Sequence, residues 1–102
     1  MDAQIKKGIL EMCILHMISE NEMYGYDIIQ RIHGFFPEVT ESTIYAILRR
    51  LHKDGSTDTF QSAGPKGPVR KYYTITEQGL FRLSQARADW GRLKNIVEEI
   101  GI

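Results

Sequence analysis

The spacing of apolar residues changes twice along this chain of 102 residues, and these changes constrain the fold more than any other feature. Up to Gly55, apolar residues recur every three or four positions, which is typical of amphipathic helices. Two short runs rich in β-branched and aromatic residues follow, and helical spacing then returns. The predicted order is three helices, two strands and one helix, in a fold that is mainly α with a two-stranded wing.

Local stop and start signals set the predicted bounds of the first three helices. The first helix is predicted at about residues 4–19, where apolar side chains cover more than one face and therefore need burial on several sides. The second, at residues 24–35, has a single apolar stripe that includes Phe35 and ends before Pro37. The third has Thr40 as its N-cap and stops at Gly55.

The last helix, predicted to begin after Thr76 and to run to about residue 100, has a narrow apolar seam. Its apolar residues alternate in steps of three and four, as in two helices packed side by side. At the end of a small domain such a seam favours pairing with a second subunit. The predicted dimer interface comprises Leu83, Ala86, Trp90, Leu93, Val97 and Ile100.

The formal net charge is zero, from 13 basic and 13 acidic residues, but the charges are segregated along the chain. Residues 1–45 hold three basic and seven acidic side chains, residues 46–72 hold six and two, and residues 73–102 hold four of each. Such segregation is typical of an anion-binding face on a neutral protein, although a solvated charged surface gives the same pattern.

This layout is that of a winged helix-turn-helix with a C-terminal dimerisation helix. Residues 1–75 would form the DNA-binding unit, with a recognition helix at about 41–53 and a wing at about 57–75, and residues 76–102 the dimerisation helix. A recognition helix needs short hydroxyl side chains in its first turn and cations further along, and a wing needs cations. The candidate DNA-binding residues are Thr40, Ser42, Thr43, Tyr45, Arg49, Arg50, Lys53, Lys66, Arg70 and Lys71. Two acids, Glu41 and Asp54, flank this face, and Glu41 either reads a cytosine amino group or stabilises the helix start.

Three motifs in this order resemble the PadR-type transcriptional regulators: MYGYDII at 23–29, STIYAILRRL at 42–51 with KDG at 53–55, and GPVRKYYTITEQG at 67–79. The resemblance implies that Tyr45 and Lys71 contact the DNA backbone. The short length resembles a small subclass of homodimers that repress promoters and release DNA when an effector binds. Where the family usually has an apolar pair before the wing, this chain has Ser56 and Thr57, which puts the packing of the first wing strand in question.

The last helix also resembles that of a drug-sensing member of the family, in which a tryptophan at the dimer interface stacks on planar aromatic ligands. Trp90 matches that tryptophan, and Met12, Cys13 and His16 would line the same pore. A planar aromatic or cationic small molecule is the expected effector. Alternatively, Trp90 simply fills the dimer core and His16 is an ordinary, partly buried histidine.

Other classes of function find little support in the sequence. The histidines His16, His33 and His52 fall on different predicted helices without a neighbouring nucleophile, and one cysteine cannot complete a metal site, so neither catalysis nor a metal or other cofactor is predicted. The chain has no apolar run long enough to span a membrane and no secretion signal, which favours the cytoplasm. The prediction is a homodimeric repressor of an inverted-repeat operator in double-stranded DNA; the alternative is a winged-helix adaptor dimer that binds protein and not DNA.

Overall fold

Threonine side chains begin both of the helices that matter most for the proposed site. Thr40 Oγ1 accepts a hydrogen bond from the Thr43 amide at 3.2 Å, and Thr76 Oγ1 accepts one from the Gly79 amide at 3.0 Å. Each bond satisfies an amide that the helix itself leaves unpaired. The last helix ends at Gly101, whose φ of 97° is the left-handed conformation of a helix C-cap.

The computed structural model describes residues 1–63 and 67–102, which form four helices and three strands. The elements are α1 (Ala3–Glu20), β1 (Met23–Tyr24), α2 (Gly25–Phe35), α3 (Glu41–Lys53), β2 (Thr57–Ala63), β3 (Val69–Ile75) and α4 (Glu77–Ile100). The predicted mainly α, winged-helix architecture is confirmed. Within the part of the chain that the structure describes, no helix is long and apolar enough to cross a membrane.

The sheet has one strand more than the sequence predicts. Its antiparallel order is β1-β3-β2, and Met23 and Tyr24 of β1 pair with Tyr73 and Tyr72 of β3. A strand of two residues is too short to have a recognisable alternation of apolar and polar positions, so the prediction of a two-stranded hairpin was incomplete. The extra strand joins the wing to the start of α2.

The core lies where α1, α2 and α3 meet, with contributions from β3 and α4. Its buried apolar residues are Leu10, Ile14, Leu15, Met17, Ile18, Ile28, Ile29, Ile32, Val39, Ile44, Ile47, Leu48, Leu51, Tyr73 and Leu83. Only the later part of α1 is buried on several sides as predicted, because Ile5 in its first turns is 61% exposed.

Two residues have a different environment from the one that the sequence predicts. Leu83, expected in the dimer seam, is only 5% exposed and belongs to the core of its own subunit, so it has no surface left for a partner. Phe35, expected on the buried stripe of α2, is 77% exposed at the end of that helix. Helical spacing predicts which residues share a face of a helix. It does not predict how far along the helix a neighbouring element covers that face.

The polar pair before the wing is fully buried rather than disordering the strand. Ser56 Oγ donates to Asp54 Oδ1 at 2.6 Å, and the Ser56 carbonyl accepts from the Thr76 amide at 3.1 Å. Among the described residues, the Thr57 hydroxyl has no hydrogen-bond partner. The serine is therefore compensated by local bonds, and β2 still pairs with β3 along its whole length.

A close approach between two backbones fixes α4 on the start of the wing. A Cβ atom added at Gly79 would lie 2.1 Å from the carbonyl oxygen of Ser56. Movement of Gly79 would break its bond to Thr76 Oγ1, and movement of Ser56 would break the bond that its carbonyl accepts from the Thr76 amide. Glycine is therefore required at this position for space.

We predict that Gly79→Ala lowers the free energy of unfolding by about 2 to 3 kcal/mol, because the added methyl group overpacks this contact. Gly34→Ala in α2 is the matched control, since nothing lies within 4 Å of its added Cβ, and it should be neutral or stabilising by up to about 1 kcal/mol. Chemical unfolding at equal protein concentrations measures both; equal stability of the two variants would contradict the close approach.

Candidate nucleic-acid interface and ligand cavity

Three exposed hydroxyl groups cluster at the start of α3. Thr40 Oγ1 lies 3.0 Å from Ser42 Oγ and 2.9 Å from Thr43 Oγ1. Hydroxyl groups both donate and accept hydrogen bonds, so they can bond to base edges or to phosphate oxygens. The three predicted hydroxyl residues are thus gathered at the end of α3 that a recognition helix presents to the major groove.

Further along α3, the exposed face carries an aromatic ring and two cations. Tyr45, Arg49 and Lys53 are exposed and follow one another at helical spacing, opposite the buried stripe that contains Ile44 and Leu48. The helix therefore separates a face for the core from a face for a ligand.

The wing continues this surface through β3. Residues alternate between the two faces of a strand, so Lys71 and Tyr73 share one face, and Lys71 Nζ lies 5.7 Å from the centre of the Tyr73 ring. Burial and the neighbouring Tyr45 phenol raise the pKa of Tyr73, and the nearby charge of Arg49 only partly opposes this. A Cβ atom added at Gly25 would lie 3.4 Å from the Tyr73 ring and 3.9 Å from the Tyr45 ring, so β3 and α3 meet at these two rings. We call the exposed side chains on this side of α3 and β3 the basic surface: Tyr45, Arg49, Lys53 and Lys71.

Arg70 does not lie on that surface. It shares the opposite face of β3 with Tyr72, and its guanidinium carbon lies 4.7 Å from the centre of the Tyr24 ring. The same aromatic cluster includes Phe60, whose ring stacks on Tyr72 at 5.3 Å. The sequence analysis missed this cluster because Tyr24 reaches the wing only through the short strand β1. Lys66, the predicted cation of the wing tip, lies outside the described residues.

Arg50 also departs from the prediction, because it lies on the flank of α3 toward α1, with 39% of its side chain exposed, and not on the face of Tyr45 and Arg49. Its guanidinium forms an ion pair with Glu11 of α1, whose other oxygen lies 2.8 Å from Arg82 of α4. Arg82 in turn pairs with Asp54, just after α3. We call these four residues the ion-pair network; it ties α1, α3 and α4 together, and its charges largely cancel.

The charge of Asp54 is therefore compensated within the subunit by Arg82, although about one-third of its side chain is exposed. Burial raises the pKa of its carboxyl, but hydrogen bonds from the Ser56 hydroxyl and amide, together with the charge of Arg82, outweigh burial and lower that pKa below its ordinary value. A carboxyl whose pKa is lowered by folding stabilises the fold above its unfolded pKa, and this contribution disappears as the pH falls through the folded pKa.

We predict that Asp54→Asn lowers the free energy of unfolding by about 1 kcal/mol at pH 7. The deficit should begin to shrink below about pH 4, where the Asp54 carboxyl of the unfolded chain takes up its proton, and should disappear as the pH falls through the lower pKa of the folded state. Asp58→Asn, at an exposed carboxyl of β2, is the matched control and should match the wild type at pH 7. Denaturant unfolding at several pH values measures this; a deficit for Asp54→Asn that stays constant down to pH 3 would contradict the assignment.

A cavity of about 800 Å³ lies between α1, α2 and α4, and it brings together the four residues predicted to bind an effector. Its lining is Met12, Cys13, His16, Met17, Arg31, Ile32, Phe35, Phe36, Arg87 and Trp90. Trp90 is 46% exposed, so its ring is available to a ligand or to a partner subunit. Phe35 and Phe36 add two aromatic rings that the sequence analysis did not include, because it assigned Phe35 to the core.

The charge of this cavity differs from that expected for a cation site. Arg31 and Arg87 line it, and none of its described lining residues carries a carboxylate. Asp89, the acid nearest to Trp90 in sequence, lines a separate groove between α1 and α4. His16 Nε2 lies 2.6 Å from Glu20 Oε1. Burial raises the pKa of the Cys13 thiol, so the thiol favours its neutral form.

The second half of α4 extends away from the remainder of the subunit. The molecule measures 54 × 30 × 21 Å, and the exposed apolar residues of this half are Trp90, Leu93, Ile96, Val97 and Ile100. Ala86 is half-buried, next to the core residue Leu83. The predicted seam is therefore divided, with its first residue in the core and its later residues exposed.

One of the three histidines, His33, lies in the last turn of α2. His33 Nε2 donates to the Val39 carbonyl at 2.5 Å, which fixes the turn between α2 and α3. Within residues 1–63 and 67–102, no group of three potential metal ligands is present.

Comparison with known proteins agrees with this geometry. The sequence model of the family described as "Transcriptional regulator PadR-like family" matches residues 14–85. A crystal structure of a PadR-like transcriptional regulator from Bacillus cereus is 37% identical, covers 96% of each chain and superposes with a TM-score of 0.87. A Streptococcus transcriptional regulator is 34% identical, covers 99% of this chain and 100% of its own, and has a TM-score of 0.91. An uncharacterized protein of Lysinibacillus sphaericus is 34% identical in an alignment 100 positions long, which covers 94% of this chain and 91% of that protein.

Proposed function

Because this chain belongs to the PadR-like family of transcriptional regulators, we propose that it is a homodimeric repressor of the cytoplasm that binds an inverted repeat in double-stranded DNA. The family members are DNA-binding regulators and not, in general, enzymes. We propose for this chain in particular that it represses transcription, pairs with a second copy of itself and responds to an effector.

The basic surface of Tyr45, Arg49, Lys53 and Lys71 is the observation that carries the proposal. A helix presents hydroxyl groups and then cations, and a strand places one further cation beside the same face. Duplex DNA offers a groove that admits one helix, flanked by phosphates that the wing cation can reach. A protein-binding adaptor would have no need for cations on both elements.

The proposed dimer rests on the exposed half of α4. Five large apolar side chains on one helix would remain in water in a single subunit, and burying them is worth about 25 cal/mol for each Å² removed from water. A second copy of α4 covers them if the two helices pack side by side. Such a dimer would present two recognition helices related by a twofold axis, which suits an inverted repeat.

We expect Arg49→Ala and Lys71→Ala each to weaken binding to every duplex and to reduce the slope of log affinity against log salt concentration by about one, since each loses one phosphate contact. Arg70→Ala is the matched control, because it removes the same charge from the same strand as Lys71 but on the opposite face, and its slope should change less. Fluorescence anisotropy at several salt concentrations gives the slopes. If neither Arg49→Ala nor Lys71→Ala changes the slope, this contact surface is wrong.

The effector is proposed to be a planar aromatic molecule that stacks on Trp90 in the cavity between α1, α2 and α4. Rings of Trp90 and Phe35 offer flat apolar surfaces, and Met12 and Met17 are adaptable neighbours. The two arginines on the lining disfavour a cationic ligand, so we propose a neutral or anionic one in place of the expected cation. A ligand in this cavity would contact α1 and α4. The ion-pair network joins the same two helices to Arg50 of α3.

We expect Trp90→Ala to abolish binding of planar dyes because the stacking surface is lost, while Trp90→Phe retains part of it. Fluorescence titration with pyrenesulfonate as an anion and aminoacridine as a cation measures this, and the wild type should bind the anion more tightly. Sedimentation checks that Trp90→Ala remains dimeric. Equal dye affinity in the wild type and Trp90→Ala would rule out this cavity as the site.

A further inference from the structure

A second charged groove runs along the flank of α3 that faces away from the wing. It lies between the first turns of α1 and the first turns of α3, and its lining includes Lys6, Lys7, Thr40, Thr43 and Arg50. The sequence analysis counted Lys6 and Lys7 within an acidic N-terminal segment and gave them no role. In the folded chain both lysines lie beside α3.

The helical geometry of α3 separates its two flanks. Thr43 and Arg50 are seven positions apart and lie on one stripe, toward α1. Tyr45 lies beside Tyr73 of the wing, and Arg49 follows Tyr45 on the same stripe. The exposed face of α3 lies between these two flanks. A helix in the major groove has a phosphate backbone on either side, because the groove, about 12 Å wide, is bounded by both strands. With α3 in the major groove, the wing would contact one DNA strand and the groove beside α1 would face the other DNA strand.

The charges of this groove favour an anion. Lys7 is exposed and forms no ion pair within the residues that the structure describes. Lys6 Nζ lies 3.7 Å from Glu38 Oε1, the one carboxylate on the described lining. Arg50 is held by Glu11 from behind. Lys7 is thus the uncompensated cation, and Lys6 has only a loose partner, about half exposed, that a phosphate oxygen can replace.

We propose that Lys7, assisted by Lys6, binds the phosphates of the DNA strand on the side of α3 opposite the wing. The two flanks would then grip both edges of the major groove, with α3 between them. This inference rests on the proposed DNA binding and adds a second contact site to it. Glu38 acts against this contact, since it competes with phosphate for Lys6.

Salt titrations of duplex binding, followed by fluorescence anisotropy on the full chain, test the proposal. Lys7→Ala should weaken binding roughly five- to tenfold at ~0.1 M salt and lower the salt slope by about one, whereas Lys7→Arg should keep both values. Glu38→Gln should tighten binding, because it frees Lys6. Lys94→Ala, at an exposed lysine of α4, is the matched control and should behave as the wild type.

Two failures can be told apart. If the wild type binds duplex DNA and Arg49→Ala lowers the salt slope, but Lys7→Ala behaves like Lys94→Ala, the second contact site is wrong and the proposed function stands. If the wild type binds no duplex at any salt concentration, both are wrong. Thermal unfolding of each variant confirms that the surface substitutions leave the fold intact, so a loss of binding reports on the contact.

Discussion

The carboxylate of Glu11 is the interaction on which the arrangement of the helices depends. Its side chain is only 15% exposed, and it binds Arg50 of α3 and Arg82 of α4 at once, while Arg82 also holds Asp54 at the end of α3. Removing one partner from such a set leaves a half-buried charge without compensation, which costs more than the pairs themselves contribute. Helices α3 and α4 are thus set relative to each other through α1. Met12 follows Glu11 directly and lines the cavity between α1, α2 and α4. Helix α1 therefore contributes both to this cavity and to the position of α3.

The formal net charge of the chain is zero, but its cations are distributed unevenly over the folded molecule. Two of the six cations of residues 46–72 contact groups of this chain, Arg50 the carboxylate of Glu11 and Arg70 the ring of Tyr24, and neither lies beside Arg49 and Lys71. Lys6 and Lys7 belong to the acidic segment 1–45, but in the folded chain they lie on the flank of α3. The proposed contact surface is therefore narrow, with few cations on each side of one helix. Such a protein attracts DNA weakly when single, and a dimer that presents two of these surfaces at a fixed spacing gains most from the correct site.

Local signals in the sequence were enough for the helices, and contacts distant in sequence account for what was missed. Thr40 and Thr76 cap helices where predicted, since a cap bonds to amides only a few residues away. Strand β1 is too short for any pattern, and Arg50 finds its partner 39 residues away in sequence. The seam of α4 was assigned to one partner, yet Leu83 packs inside the subunit, because periodicity gives the face of a helix and not what covers it. The four effector residues were grouped by resemblance alone, and the cavity that joins them also contains Arg31 and Arg87, whose charges the resemblance did not suggest.

The central claim is that two copies of this chain present their α3 helices together to a symmetric DNA site. Selection of bound sequences from a pool of random duplexes tests it most directly, because it measures binding, symmetry and spacing in one experiment. The account predicts an enriched inverted repeat whose half-sites lie about 10 base pairs apart, centre to centre, or a multiple of this distance, as two helices on one face of the duplex require. Enrichment of no sequence, or of a single asymmetric half-site, would contradict it.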